Sequence, residues 1–122
     1  LIELMPDSCL AAVYLLYPDP WPKKKHHKRR FVNPENLHHI HRLLQPDGMF
    51  YFASDIPDYV SWALVHIRDH GGFEWQARAS ADWQTPFAGW VRTRYEEKAL
   101  VAGRTPTYLR FQHRENIRPG YL

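Results

Sequence analysis

Cysteine is nearly absent: Cys9 is the single one in 122 residues. No intramolecular disulfide can form, which favours a reducing compartment. Long apolar runs are missing too. None approaches the ~18 residues that a membrane span requires, so the expectation is a cytoplasmic protein with no membrane partner. The six glycines, at positions 48, 71, 72, 89, 103 and 120, form neither a GxGxxG nor a P-loop pattern. Secretory-leader features are lacking as well. The chain opens "LIELMPDS", with Glu3 and no basic start. It opens without methionine on what reads as the last turn of a helix, as a piece of a longer protein would. No nucleophile is arranged beside a base, and Cys9 at the start of an apolar run reads as an inert core thiol.

Acidic residues are missing from one segment altogether. Between Lys23 and Arg30, six of eight residues are lysine or arginine and the others are His26 and His27. The formal net charge is +3, and without those six positive charges the rest of the chain carries −3. The basic character is therefore local, and a local patch points to a polyanionic partner. Six like charges in eight residues repel one another unless counterions or phosphates neutralise them. That makes Lys24, Lys25, Lys28, Arg29 and Arg30 candidates for contacts to an RNA backbone.

What is present is the composition of a globular domain. Apolar residues make up 44%, charged residues 24% and aromatic residues 15%, which argues against disorder. Residues 9–17, "CLAAVYLLY", form an almost unbroken apolar run closed by Pro18, as a buried parallel strand does. Asn33 can cap a helix with Pro34 in its first turn and Leu37, Ile40, Leu43 and Leu44 along one face; "QPDG" ends it. "MFYFAS" (49–54) is a second buried strand. Asp55 can cap the next helix, with Val60, Ala63, Leu64 and Ile67 inward and Gly71-Gly72 as its stop. Residues 73–80 alternate as a half-buried strand, 81–91 read as a loop, and 93–102 read as a helix stopped by Gly103. "TYLRFQ" (107–112) is a last alternating strand. This order gives α/β layering, parallel at the start and antiparallel at one edge.

The residues "YPDPWPKKKHHKRR" pose the functional question. Asp19 follows the C-terminal end of a parallel strand, where open α/β sheets bind ligands. Pro18 and Pro20 fix φ on both sides of it, which lowers the entropy lost in holding the carboxylate. Trp21 offers a flat surface on which a base could stack. The alternative is a proline-rich turn in which Asp19 bonds its own backbone. Asp55 ends the second strand at the same sheet edge, so two acids outline a cleft. "TRYE" (93–96) fits a capping box. His38 and His41 share a helix face, but no carboxylate or cysteine completes a ligand set, so no metal is expected.

The motifs "PDPWPKKKHHKRR" and "TRYEEKALVAGRTPTYLRF" closely resemble signatures of the bacterial tRNA (guanine-N7)-methyltransferases of the TrmB type, and "DGMFYFASDIPDYV" fits the strand and acidic turn between them. The resemblance covers residues 1–113 and leaves 114–122 as a tail. It implies the C-terminal half of a Rossmann-like class I methyltransferase that uses S-adenosylmethionine and methylates guanosine 46 in the tRNA variable loop. It further implies that Asp19 is the catalytic-centre acid near both donor and base, that Lys23 contacts substrate, and that Asp55, Thr93, Arg94, Tyr95 and Glu96 hold the target guanosine. The family's cofactor-binding half, with its glycine-rich loop, has no counterpart in these residues. The first strand is thus expected to expose an edge that a missing N-terminal segment or a second copy would cover. Two other readings are a non-catalytic RNA-binding module built on residues 23–30 and a metal-dependent nuclease using the acids and histidines. On the first reading, micromolar S-adenosylmethionine leaves the melting temperature of this chain unchanged; a clear upward shift in a thermal titration contradicts that.

Overall fold

The computed structural model describes residues 2–88 and 94–115. At its centre is a four-stranded sheet in the order β1-β2-β4-β3. Strands β1 (Leu10–Leu16) and β2 (Leu44–Ser54) are parallel, and helix α1 (Pro34–Leu43) lies in the crossover between them. A parallel pair needs such a long connection, because a tight turn can only reverse the chain. Helix α2 (Pro57–His70) leads to the short β3 (Phe73–Trp75). Helices α3 (Ala81–Gln84) and α4 (Arg94–Val101) precede β4 (Thr107–His113), which runs antiparallel to both β2 and β3.

The alternation of side chains sorts the sheet into two faces. Phe50, Phe52, Leu109 and Phe111 are fully buried and pack with Leu37, Ile40, Tyr59, Ala63 and Ile67 from α1 and α2, with Val13 and Leu15 against them. The register explains this cluster, since Val13 pairs with Phe50 and Phe50 with Phe111. The other face carries Tyr14, Tyr51, Ala53 and Tyr108, with Phe87 over part of it. Tyr14 stacks on Tyr51 at 4.5 Å, yet stays 53% exposed.

Several sequence expectations hold. The Asn33 side chain accepts from the Asn36 amide at 2.8 Å and caps α1, with Pro34 as its first residue. Gly71 ends α2 in the left-handed region at φ 78°, a conformation cheap only for glycine.

Others are corrected. The first strand is not buried: its residues alternate between half-buried and exposed. It is an outer strand, and helices cover only one of its faces. The "QPDG" turn does not simply end α1, because β2 already begins at Leu44. Leu44 pairs with Leu10 and Met49 with Ala12, so residues 45–48 bulge opposite Ala11. Gly48 is needed there, since a Cβ would sit 2.9 Å from the Gln45 carbonyl oxygen and 3.2 Å from that of Ala11. β3 stops at Trp75, well short of residue 80, because the Asp82 carboxylate takes the Arg78 and Ala79 amides at 2.7 and 3.1 Å. Part of the expected 81–91 loop is helix α3. The last strand is interior, between β2 and β3, so Tyr108, Leu109 and Phe111 are all buried.

At the sheet end opposite the C-termini of β1 and β2, three imidazoles meet. His113 stacks on His41 at 4.2 Å, and His70 lies 5.2 Å from His41. His41 Nε2 donates to the Arg114 carbonyl, and His70 Nδ1 accepts from the Gly72 amide. Burial, with His41 and His38 nearby, pushes His70 from 6.5 down to about 4. Burial and then His41 also lower His113, against the opposing pull of Glu115 and Asp47. A base whose folded pKa is depressed binds fewer protons than the unfolded chain between the two values, so stability rises with pH there. The melting temperature is therefore full above pH 6.5 and falls as pH drops from 6.5 towards 4. His70→Asn flattens that slope; an unchanged slope in the variant removes His70 from the effect.

Candidate functional site

The C-terminal ends of β1 and β2 lie side by side, with Leu16 paired to Ala53. The chain leaves β1 through Tyr17, whose amide donates to the Ala53 carbonyl at 2.8 Å. Tyr17 and Trp21 both have positive φ, 50° and 41°, which costs a non-glycine residue roughly 1–2 kcal/mol. Between them stand Pro18, Asp19 and Pro20. Asp19 is exposed, and its Oδ1 accepts from the Trp21 amide at 3.2 Å. The backbone-bonding turn offered as the alternative from sequence is therefore present. The other consequence of the two prolines is present as well: a stiff elbow that offers a carboxylate at the strand ends.

The basic run folds as a 3-10 helix, Lys24–Arg29. Lys23, Lys24, Lys25, Lys28 and Arg29 are exposed, and among the described residues none of them forms an ion pair. The helix is fastened by its histidines and its last arginine. His26 packs edge-on against Trp21 at 5.8 Å, His27 packs edge-on against Trp62 at 5.4 Å, and the Arg29 guanidinium lies over the Trp21 ring.

Arg30 requires a correction. Sequence placed it with the phosphate-facing cations, but it is 1% exposed. Its Nε donates to the Pro20 carbonyl at 2.8 Å and its NH2 to Asp58 at 2.6 Å. The guanidinium lies 5.0 Å from the ring centroids of both Tyr59 and Trp62. Its NH1 has no hydrogen-bond partner among the described residues, and the aromatic faces are its surroundings instead. The hydrogen bond from Arg30 holds the exposed Asp58 carboxyl below its ordinary value. The same arginine thus binds the elbow to α2, with its guanidinium turned away from solvent.

Asp55 is 4% exposed and does not cap α2. The residue before that helix is Ile56, whose amide donates to Ser54 Oγ at 3.1 Å. The Asp55 carboxylate accepts from Arg104 Nε at 2.6 Å. Glu96 is fully buried on α4, where Tyr17 donates to its Oε2 at 2.9 Å and Tyr108 to its Oε1 at 2.8 Å. Burial first, and then the Glu96 hydrogen bond, push the Tyr17 hydroxyl far above its ordinary pKa. Arg94 is exposed. Thr93 and the Tyr95 side chain lie outside the described residues, as does the capping box that depends on Thr93.

Sequence reasoning missed Tyr17, Tyr108 and Arg104, which among the described residues bond the two buried acids. Tyr17 stands two residues before Asp19, and β4 alternation puts Tyr108 on the face opposite Leu109, so two of the three signals were there to read. The assembled edge combines an exposed carboxylate, a row of exposed cations and the half-buried Trp21 indole. Such a surface can hold a phosphate backbone and align a base beside an acid.

The fold is that of an α/β methyltransferase. The chain superposes over 92% of its length on the aminoglycoside resistance methyltransferase NpmB1, covering 57% of that chain, with TM-score 0.51 at 19% identity. It superposes over 99% of its length on a Thermus thermophilus protein titled "Putatative DNA Modification Methylase", covering 50% of that chain, with TM-score 0.54 at 14% identity. Residues 1–109 match the family model described as "Putative methyltransferase", and the chain belongs to that family. Among curated proteins named tRNA (guanine-N(7)-)-methyltransferase, that of Rhizobium johnstonii is 57% identical over 92% of this chain and 48% of its own length. That of Agrobacterium fabrum is 54% identical over 93% and 49%. The chain spans about half the length of the curated relatives it matches.

Arg30→Ala lowers unfolding stability by roughly 2–4 kcal/mol, because it empties a packed and hydrogen-bonded niche. Lys25→Ala changes it by less than ~0.5 kcal/mol. Equal effects in urea unfolding contradict the division between a buried anchor and exposed cations.

Proposed function

We propose that this chain supplies the catalytic edge of an S-adenosylmethionine-dependent methyltransferase acting on N7 of guanosine 46 in the tRNA variable loop. The observation that carries the reading is the 57% identity, over 92% of the chain, to a protein named as a tRNA (guanine-N(7)-)-methyltransferase. Residues 1–113 would form the C-terminal part of the catalytic domain, with 114–122 as a tail. A cofactor-binding half would pair with the open side of β1; self-association through that edge is the competing arrangement. The setting would be the cytoplasm, where tRNA is available.

S-adenosylmethionine supplies an electrophilic methyl group on a positively charged sulfur. The exposed Asp19 carboxylate suits a cationic neighbour, so the residues present fit that donor at its reactive end. N7 of guanine has a free lone pair and needs no prior deprotonation. The chain's task is alignment and electrostatics rather than strong-base catalysis. Asp19 would orient the guanine through its amino or imino hydrogens, or offset the sulfonium charge. Lys23 would touch substrate beside it, and Lys24, Lys25, Lys28 and Arg29 would grip phosphates. Asp55 and the span from Thr93 to Glu96 would border the base once it has left its stack.

The test is transfer of tritiated methyl to unmodified tRNA. It compares this chain alone with the chain joined to the upstream half of the R. johnstonii relative. The expected result is no transfer by the chain alone and transfer by the joined protein, lost on tRNA carrying adenosine at position 46. Asp19→Ala in the joined protein should lower the rate at least ~100-fold and leave tRNA affinity nearly intact. Tight tRNA binding without transfer in the joined protein would favour the RNA-binding module, and full activity of Asp19→Ala would remove that residue from the mechanism.

A further inference from the structure

We infer that Glu96 is a positioning residue for the elbow, acting on Asp19 through Tyr17. Its carboxylate is fully buried, and each oxygen accepts a tyrosine hydroxyl, Oε2 from Tyr17 and Oε1 from Tyr108. A charged acceptor holds two hydroxyls more firmly than a neutral one does.

Tyr17 is the residue that needs holding. It sits in the left-handed region at φ 50° and opens the turn that carries Asp19 two residues later. It is fastened at both ends. Its amide donates to the Ala53 carbonyl, and its hydroxyl reaches Glu96. Glu96 is tied in turn to β4 by Tyr108, which pairs with that same Ala53. Helix α4 and strands β2 and β4 therefore close a loop of contacts around the first residue of the elbow. Strain at Tyr17 persists because this frame over-determines it. The role explains why an acid belongs at position 96.

The inference rests on the reading that Asp19 works at the reaction centre, but its test needs no activity. Amide hydrogen exchange measured by NMR on this chain reports the elbow through the Trp21 amide, which donates to Asp19. Tyr17→Phe should speed Trp21 exchange roughly tenfold, the loss expected for a hydrogen bond to a charged acceptor, while Phe52 and Leu109 in the core keep their rates. Tyr108→Phe also removes one hydroxyl from Glu96, and it should leave Trp21 within about twofold. The isosteric Glu96→Gln should loosen Trp21 alone and add nothing further to Tyr17→Phe. Unchanged Trp21 exchange in Tyr17→Phe and Glu96→Gln overturns the inference. So does acceleration of Trp21 and Phe52 by the same factor. A confirmed elbow frame with an Asp19 that proves dispensable for methyl transfer would count against the proposed function and leave this inference standing.

Discussion

The arrangement at the sheet edge depends on one buried guanidinium. Arg30 ends the basic run, yet it turns inward between Tyr59 and Trp62 and reaches the Pro20 carbonyl and Asp58. It converts a loop of like charges into an element with a fixed position. Around it, the Trp62 indole donates to the Val32 carbonyl at 2.8 Å, and the Val32 amide donates to the Tyr59 hydroxyl at 3.2 Å. The chain after the basic helix is thereby sewn to α2. The remaining cations project outward because their neighbour holds the backbone that carries them.

A second frame fixes the other end of the elbow. Tyr17, Glu96 and Tyr108 link the exit of β1 to α4 and β4. Pro18-Asp19-Pro20 is thus suspended between two buried ionic groups, Glu96 on one side and Arg30 on the other. Two positive-φ residues at its ends keep their conformation because both ends are tied. This places an exposed carboxylate beside exposed cations with little freedom left to lose. Preorganisation of that kind is what alignment catalysis requires.

Much of the fold was legible in the sequence, and the reasons for the rest are physical. The parallel β1–β2 pair, the Asn33 cap and the Gly71 stop follow from local rules that tertiary context did not override. The burial of β1 could not be judged from its apolar run, because an apolar strand reads the same whether helices cover one face or two. The elbow was legible as a proline-flanked turn, and in it Asp19 bonds its own backbone and is exposed. Arg30 looked like its five cationic neighbours in sequence. Only the long-range arrival of Tyr59 and Trp62, nearly thirty residues or more away, distinguishes it. Asp55 was a plausible cap by spacing, but Arg104, 49 positions later, claims its carboxylate. Partners at such separations leave no local signature.

The most direct measurement is the salt dependence of tRNA affinity for Arg30→Met and Lys25→Met, each at a temperature where circular dichroism shows it folded. Lys25→Met should lower the slope of log affinity against log salt by about 0.7–0.9, while Arg30→Met should leave the slope at its original value. A slope reduced as much by Arg30→Met as by Lys25→Met would show that the inward arginine reaches the phosphates, and the division on which this edge is built would fall.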